Sequence, residues 1–364
     1  MPMQTQRDTE YYGRDALLKG GCKAPHNHRQ STGGIWRVIA GLFIMLSSLV
    51  GRGVAQNRSA GGAVDTYEWR KWSAPTDKVL RGVAYIGSDV FAVGDEGSAL
   101  VLRENQWKLI KSKMAGDFYG VETGANSETG WVFGDWGTIM RIEGGEFHDT
   151  PTLVGALIRD ITDRVDGPAW AVGSNGAILR FENNKWIEET RLITDTLNSI
   201  SVYQDDGAMK GWIAAGQCDH TGRCSNRMLY MEEGKWVALP DSSGAPLTSI
   251  DVEKDVGWGV GGYIGAAIRR NNNDSWIWVE SPVHQGLWAV DVVDSKAAWA
   301  VGSNGIIIHF DGKDWSVEES GVDVTLRALA MLKNGRGWAV GDDGTLLERI
   351  PYSGKLIYLP QVSY

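Results

Sequence analysis

Three arginines sit at one offset of a repeated pattern, each following a large aliphatic residue: Leu80-Arg81, Ile158-Arg159 and Leu326-Arg327. The same offset in the other copies holds Tyr119, Asn198, Thr248 and Trp288. A guanidinium grips a carboxylate or phosphate through two parallel N–H donors. Brought together, the three would therefore hold an acidic peptide or an acidic glycan. With Tyr119 as nucleophile they would also suit a sialidase-type hydrolase, which departs from the usual two-carboxylate scheme. Glu122 alone is a poor acidic helper for that chemistry. Asp95, Asp135 and Asp342 fall on turns expected at the same end and can neutralise the arginines instead.

Other chemistry has little to stand on. There is no Gly-x-Ser-x-Gly, no His-Glu-x-x-His and no Walker loop, and the six His are scattered. The chain thus reads as a non-enzyme that needs no cofactor. Cys218 and Cys224 lie close together in Cys-Asp-His-Thr-Gly-Arg-Cys, which suits a loop disulfide in an oxidising compartment. The rival is a metal site with Asp219 and His220, but a structural site needs four ligands and no second cluster is evident, so no metal is expected. A formal charge of -9 argues against a nucleic-acid partner, because phosphate neutralisation needs a basic face.

What could position the arginines is an internal repeat. An aromatic-x-Val-Gly core recurs at Phe91, Trp131, Trp170, Trp258, Trp299 and Trp338, with minor variation, and a degenerate copy lies at Trp212. The steps are 40, 39, 42, 46, 41 and 39 residues, close to the period of a four-stranded propeller blade. The 47 Gly and 17 Trp suit many short strands and tight turns. The expected fold is all-β, a seven-bladed β-propeller in which each unit supplies four strands. In the third unit these are residues 157–163, 169–172, 178–181 and 185–188, joined by Gly- and Asn-bearing turns that tolerate positive φ. The innermost strands are expected to begin at Leu80, Phe118, Ile158, Leu197, Leu247, Leu287 and Leu326. The next residue of each would then form a ring at the channel mouth: Arg81, Tyr119, Arg159, Asn198, Thr248, Trp288 and Arg327.

A second tryptophan series, Trp72, Trp107, Trp186, Trp236, Trp278 and Trp315, opens the outermost strands and is read as packing between blades. Tyr67 to Ser73 looks like a fourth strand that would close the ring with the last blade and remove its exposed edge. Lys355 to Leu359 competes for that place. The fourth unit departs most, its second turn lengthened from Gln217 to Arg227 around the cysteine pair. Long loops on a rigid scaffold often carry recognition.

Ahead of the repeats, residues 1–34 are polar, and residues 35–55 contain an apolar run from Val38 to Val50 flanked by Arg37 and Arg52. The run is short for a membrane span and fits a signal-peptide core, with Gly53-Val54-Ala55 offering small residues before a cut at Gln56. An uncleaved anchor is the alternative. Residues 56–66 read as a linker and 67–364 as the propeller. Either way the propeller is expected outside the cytoplasm, periplasmic, lumenal or secreted, and membrane-tethered if uncleaved.

The stretches Gly-Ser-Asn-Gly-Ala-Ile-Leu-Arg-Phe-Glu-Asn-Asn-Lys-Trp at 173–186 and Gly-Ser-Asn-Gly-Ile-Ile-Ile-His-Phe-Asp-Gly-Lys-Asp-Trp at 302–315 resemble the photosystem II stability and assembly factor family of β-propellers. They also resemble the wider Asp-box and neuraminidase-like group, although the Asp-Gly-Gly turn is here shortened. The likeness covers roughly residues 67 to 350. It implies an exported assembly scaffold with a protein partner; the glycan-directed lectin or hydrolase remains the alternative.

Overall fold

The computed structural model describes residues 67–352 apart from 111, 113, 115, 164–166, 220, 243, 255, 263–266, 273 and 274. The polar N-terminal region, the apolar run, the linker and the Lys355 to Leu359 strand all lie outside the described residues.

Every sheet among the described residues is four-stranded and antiparallel, and together they form a propeller. The unit count expected from the repeat needs one correction. Six blades, rather than seven, are contiguous four-strand units, spanning 80–110, 118–149, 158–188, 197–238, 247–279 and 287–318 (blades 1 to 6). The seventh sheet, blade 7, is composite: the last repeat supplies only Leu326–Met331, Gly337–Gly341 and Leu346–Pro351, and Tyr67–Trp72 pairs antiparallel with Leu346–Pro351 as the fourth strand. The physical reason is the sheet edge. A last unit of three strands would leave Leu346–Pro351 with an unpaired row of N–H and C=O groups, and the early strand covers it.

The innermost strands begin at the seven expected large apolar residues, all of them at most 1% exposed. In the third unit the strands are Ile158–Thr162, Trp170–Gly173, Ile178–Glu182 and Lys185–Glu188, within a residue of expectation. Its last hairpin turns on Asn183 and Asn184 at φ 51° and 59°, the left-handed region that Asn tolerates.

Tryptophans hold blade to blade. An indole on an outer strand meets, edge to face, the second-strand indole of the preceding blade. The pairs are Trp107 on Trp338, Trp186 on Trp131, Trp236 on Trp170, Trp276 on Trp212 and Trp315 on Trp258, with ring centres 5.0 to 5.7 Å apart. This is the preferred geometry for aromatic quadrupoles. Two members of the expected series are misplaced. In blade 5 the packing ring is Trp276, second residue of its strand as Trp107, Trp186 and Trp236 are of theirs, whereas Trp278 is 54% exposed. In blade 7 Trp72 packs on Trp338 of its own sheet, and Trp69 joins the cluster around Trp299.

Candidate channel-mouth binding site

All seven ring residues share a feature that spacing does not reveal. In every blade the ladder between the first and second strands slips by one residue at the ring position: between Leu80 and Gly82, Phe118 and Gly120, Ile158 and Asp160, Leu197 and Ser199, Leu247 and Ser249, Leu287 and Ala289, and Leu326 and Ala328. The ring residue is the extra residue of a β-bulge. A bulge leaves its residue out of the ladder and re-aims its side chain. Repeated in every blade, it turns Arg81, Tyr119, Arg159, Asn198, Thr248, Trp288 and Arg327 onto one channel of about 890 Å³.

Five ring members are tied into the scaffold by side-chain hydrogen bonds. Asn198 Nδ2 donates to the carbonyls of Gly216 and Leu247 at 2.8 and 3.0 Å. Thr248 Oγ1 donates to those of Val260 and Leu287 at 3.1 and 2.9 Å, so both residues staple one blade to the next. Arg81 grips Asp95 with Nε at 2.5 Å and Nη2 at 3.2 Å, and Arg327 holds Asp342 in the same way at 2.5 and 3.2 Å. The aspartates come from the second turn of the same blade, as the neutralising alternative supposed. Arg327 also lies over the Trp288 ring, 5.6 Å from its centre, while Trp288 Nε1 donates to Ser303 Oγ at 3.0 Å.

Blade 3 breaks the pattern. Its turn carries Ser174 where blades 1 and 7 carry aspartate, and that hydroxyl accepts the Leu157 N–H at 3.0 Å. Arg159 is exposed, and no described carboxylate pairs with it. Its guanidinium rests on the Tyr119 ring at 5.4 Å, with Arg81 against the same ring at 5.5 Å. Asp135, the third turn aspartate, does not reach an arginine. It accepts the Asp117 N–H at 3.0 Å, and its charge acts on the Tyr119 phenol. Burial, then the Asp135 charge, pushes the Tyr119 phenol above its ordinary value, opposite to what an activated nucleophile needs.

Below the mouth the wall changes character around the ring. From blade 3 to blade 7 short polar side chains cap the edge N–H groups of the next inner strand: Asp160 Oδ2 accepts Ile200 N, Ser199 Oγ accepts Ile250 N, Ser249 Oγ accepts Val290 N and Asp291 Oδ2 accepts Met331 N. Asp160 also accepts from Ser199 Oγ at 2.7 Å and from its own neighbour Ile161 N at 2.9 Å. It touches the channel yet is walled in by protein, and that burial pushes its carboxyl up to about 7 against the pull of those donors. A carboxyl raised on folding gives stability that is full below its unfolded value and fades as pH rises through about 7. Urea unfolding at pH 5 and pH 8 is expected to show the wild type losing on the order of 2 kcal/mol relative to Asp160→Asn across that interval. Parallel curves would contradict it.

In blade 4 the structure joins Cys218 to Cys224, closing a hairpin on the mouth face whose Asp219 Oδ1 accepts Thr221 N, Thr221 Oγ1 and Arg223 N. Both sulfurs are thus used by each other. No group of three or more potential metal ligands occurs among the described residues.

No family model matches the chain, and no curated protein matches it. Solved structures do. YCF48 from Cyanidioschyzon merolae aligns with TM-score 0.61 at 18% identity, covering 77% of this chain and 98% of that one. A structure of YCF48 bound to a D1 peptide aligns with TM-score 0.63 at 15% identity, covering 84% and 100%. The WD40 propeller domain of Doa1 aligns with TM-score 0.63 at 11% identity, covering 79% and 98%. The family resemblance read from the repeats is thus matched in three dimensions, and at these identities what it establishes is the fold: the chain is a β-propeller similar to YCF48.

Proposed function

We propose that the chain is a non-catalytic scaffold that binds a segment of a partner protein at the channel mouth, with Arg159 receiving a carboxylate. The observation that carries this reading is the bulge-displayed guanidinium of Arg159, stacked on Tyr119 and lacking the aspartate that occupies its counterparts in blades 1 and 7. A ready donor fork on a rigid scaffold recognises a carboxylate with little ordering cost. The likeness to a propeller solved with a peptide bound supports a peptide as the class of ligand. The glycan alternative is weaker: two arginines of its triad are already paired, the Tyr119 phenol is raised, and Trp288 has Arg327 across its ring.

The propeller is further read as exported, on the support of the apolar run from Val38 to Val50 and the Cys218–Cys224 bond, which suits an oxidising compartment. One experiment addresses both readings. Crosslinking and capture from membrane and secreted fractions should recover a protein with the wild type, and Arg159→Ala should lower its recovery about tenfold while staying folded. Equal recovery would overturn the role of Arg159, and native protein found only in the cytoplasm would overturn export.

A further inference from the structure

The mouth face carries a second unusual display beside Arg159. In blade 2 the turn Asp135-Trp136-Gly137 places Trp136 at φ 53° and ψ 33°. Four other blades adopt the same turn, and there the left-handed position holds Glu96, Asn175, Asn304 and Asp343. Short polar residues enter this region readily, whereas a bulky one costs about 1–3 kcal/mol and points to function. The Trp136 ring does not recover that cost by burial. It leans toward Gly116 yet is 67% exposed.

Two more large apolar side chains stand exposed nearby. Leu153 is fully exposed on the connection from blade 2 to blade 3, and Leu192 is 42% exposed on the connection from blade 3 to blade 4. Their neighbours Val154 and Ile193 are buried, so each loop is anchored and each leucine is held outward. Thr152 Oγ1 donates to the Gly137 carbonyl at 2.7 Å, fixing the Leu153 loop to the Trp136 turn. The other exposed large apolar residues among those described lie on outer strands, on the opposite face or just past the last strand of blade 7: Leu109, Ile187, Ile277, Trp278, Val317, Leu332 and Tyr352. The apolar display on the mouth face is confined to the sector of blades 2 and 3, which also holds the arginine without a carboxylate.

We infer that Trp136, Leu153 and Leu192 form a docking surface for an extended segment of a partner protein in which a carboxylate is flanked by large apolar side chains. The carboxylate meets Arg159 and the apolar residues cover the three exposed side chains. Charge complementarity selects an acidic occupant over a basic one. Asp135 accepts the Asp117 N–H and makes no ion pair with Arg159 among the described residues. This inference rests on the peptide-binding reading and names the chemistry of its ligand.

The test is a displayed library of random seven-residue peptides selected on the folded propeller. Wild type should enrich Asp or Glu next to Leu, Ile, Phe or Trp. Trp136→Asn installs the residue that blades 3 and 6 carry at this position, so it should fold at least as well as wild type. Combined with Leu153→Ser, it should lose the apolar preference, weaken the best clones about tenfold and keep the acidic preference. Arg159→Ala should do the reverse. Acidic clones without apolar bias would overturn the docking surface and leave the peptide-binding reading standing. No enrichment at all would overturn both.

Discussion

Glu318→Ala is expected to cost about 3–5 kcal/mol and to lower the melting temperature by roughly ten degrees, because it strips the closing strand of its central anchor and leaves a buried cation unpaired. Glu318 on the outer strand of blade 6 accepts Trp69 Nε1 at 2.8 Å and both Arg349 Nε and Nη2 at 2.9 and 2.8 Å. Trp69 and Arg349 belong to the two strands that pair to complete blade 7. Arg349 is 5% exposed, sandwiched between Tyr67 and Trp299 at 4.1 and 5.1 Å. Burial works to raise the Glu318 carboxyl, but the Arg349 bonds and charge outweigh it and hold the group below the usual carboxylate range. A carboxyl lowered on folding gives stability that is present above its unfolded value and is lost as pH falls through the folded one. The clasp should therefore weaken in acid, and a scan of melting temperature against pH should show a loss below about pH 4.5 that Glu318→Ala lacks. Replacing Glu318 with Leu and Arg349 with Met together should recover much of the loss, since an apolar pair leaves no stranded charge. A single variant as stable as wild type would show that the Tyr67–Trp72 strand is held by its ladder alone.

Gly82→Ala is expected to be at least as damaging, about 3 kcal/mol or more, through a clash that cannot relax. A Cβ at Gly82 would sit 2.6 Å from Val121 N and 2.7 Å from Gly120 Cα, all in the inner wall between blades 1 and 2. These are backbone atoms of a ladder, so no rotamer change makes room. Blades 3 to 6 bridge the same gap with Asp160, Ser199 and Ser249, whereas here the strands approach directly. Gly155→Ala is the control. Nothing lies within 4 Å of its Cβ position, so it should be neutral or slightly stabilising by restricting the unfolded chain. Thermal unfolding of the two variants side by side should separate them clearly, and equal shifts would show that the inner wall tolerates a methyl group.

Much of the fold was legible because propeller packing writes itself as a period. Leu80, Phe118 and their counterparts are buried at the start of each innermost strand, and a fixed offset exposes them to sequence reading. Trp278 was mistaken for Trp276 because Ser-Trp-Ile-Trp-Val offers two indoles two residues apart, on one side of the strand. Only the distance from the preceding turn tells them apart. Closure by Tyr67–Trp72 could be guessed but not chosen over its rival, since pairing across the length of the chain leaves no local mark.

The channel mouth was half legible. Offsets assembled the seven ring residues, and the turn aspartates identified the partners of Arg81 and Arg327. The bulges were hidden, because no residue type marks them in every blade and the slip appears only when two strands are paired. The freedom of Arg159 did have a signal. Ser174 replaces aspartate on its own blade's turn, and comparison of the repeats position by position would have found it. Trp136 was likewise visible as a tryptophan where sister turns hold Glu, Asn or Asp, but its meaning needed the left-handed backbone.

The central claim is that one ring arginine is free to bind while its two counterparts are committed to the scaffold. Equilibrium binding of the captured partner segment to Arg81→Ala, Arg159→Ala and Arg327→Ala, each with its unfolding curve, tests this most directly. The expected result is that Arg159→Ala alone weakens binding about tenfold at unchanged stability, while the other two lose some stability by breaking the Arg81–Asp95 and Arg327–Asp342 bonds. Equal weakening by all three, or unchanged binding to Arg159→Ala, would contradict it.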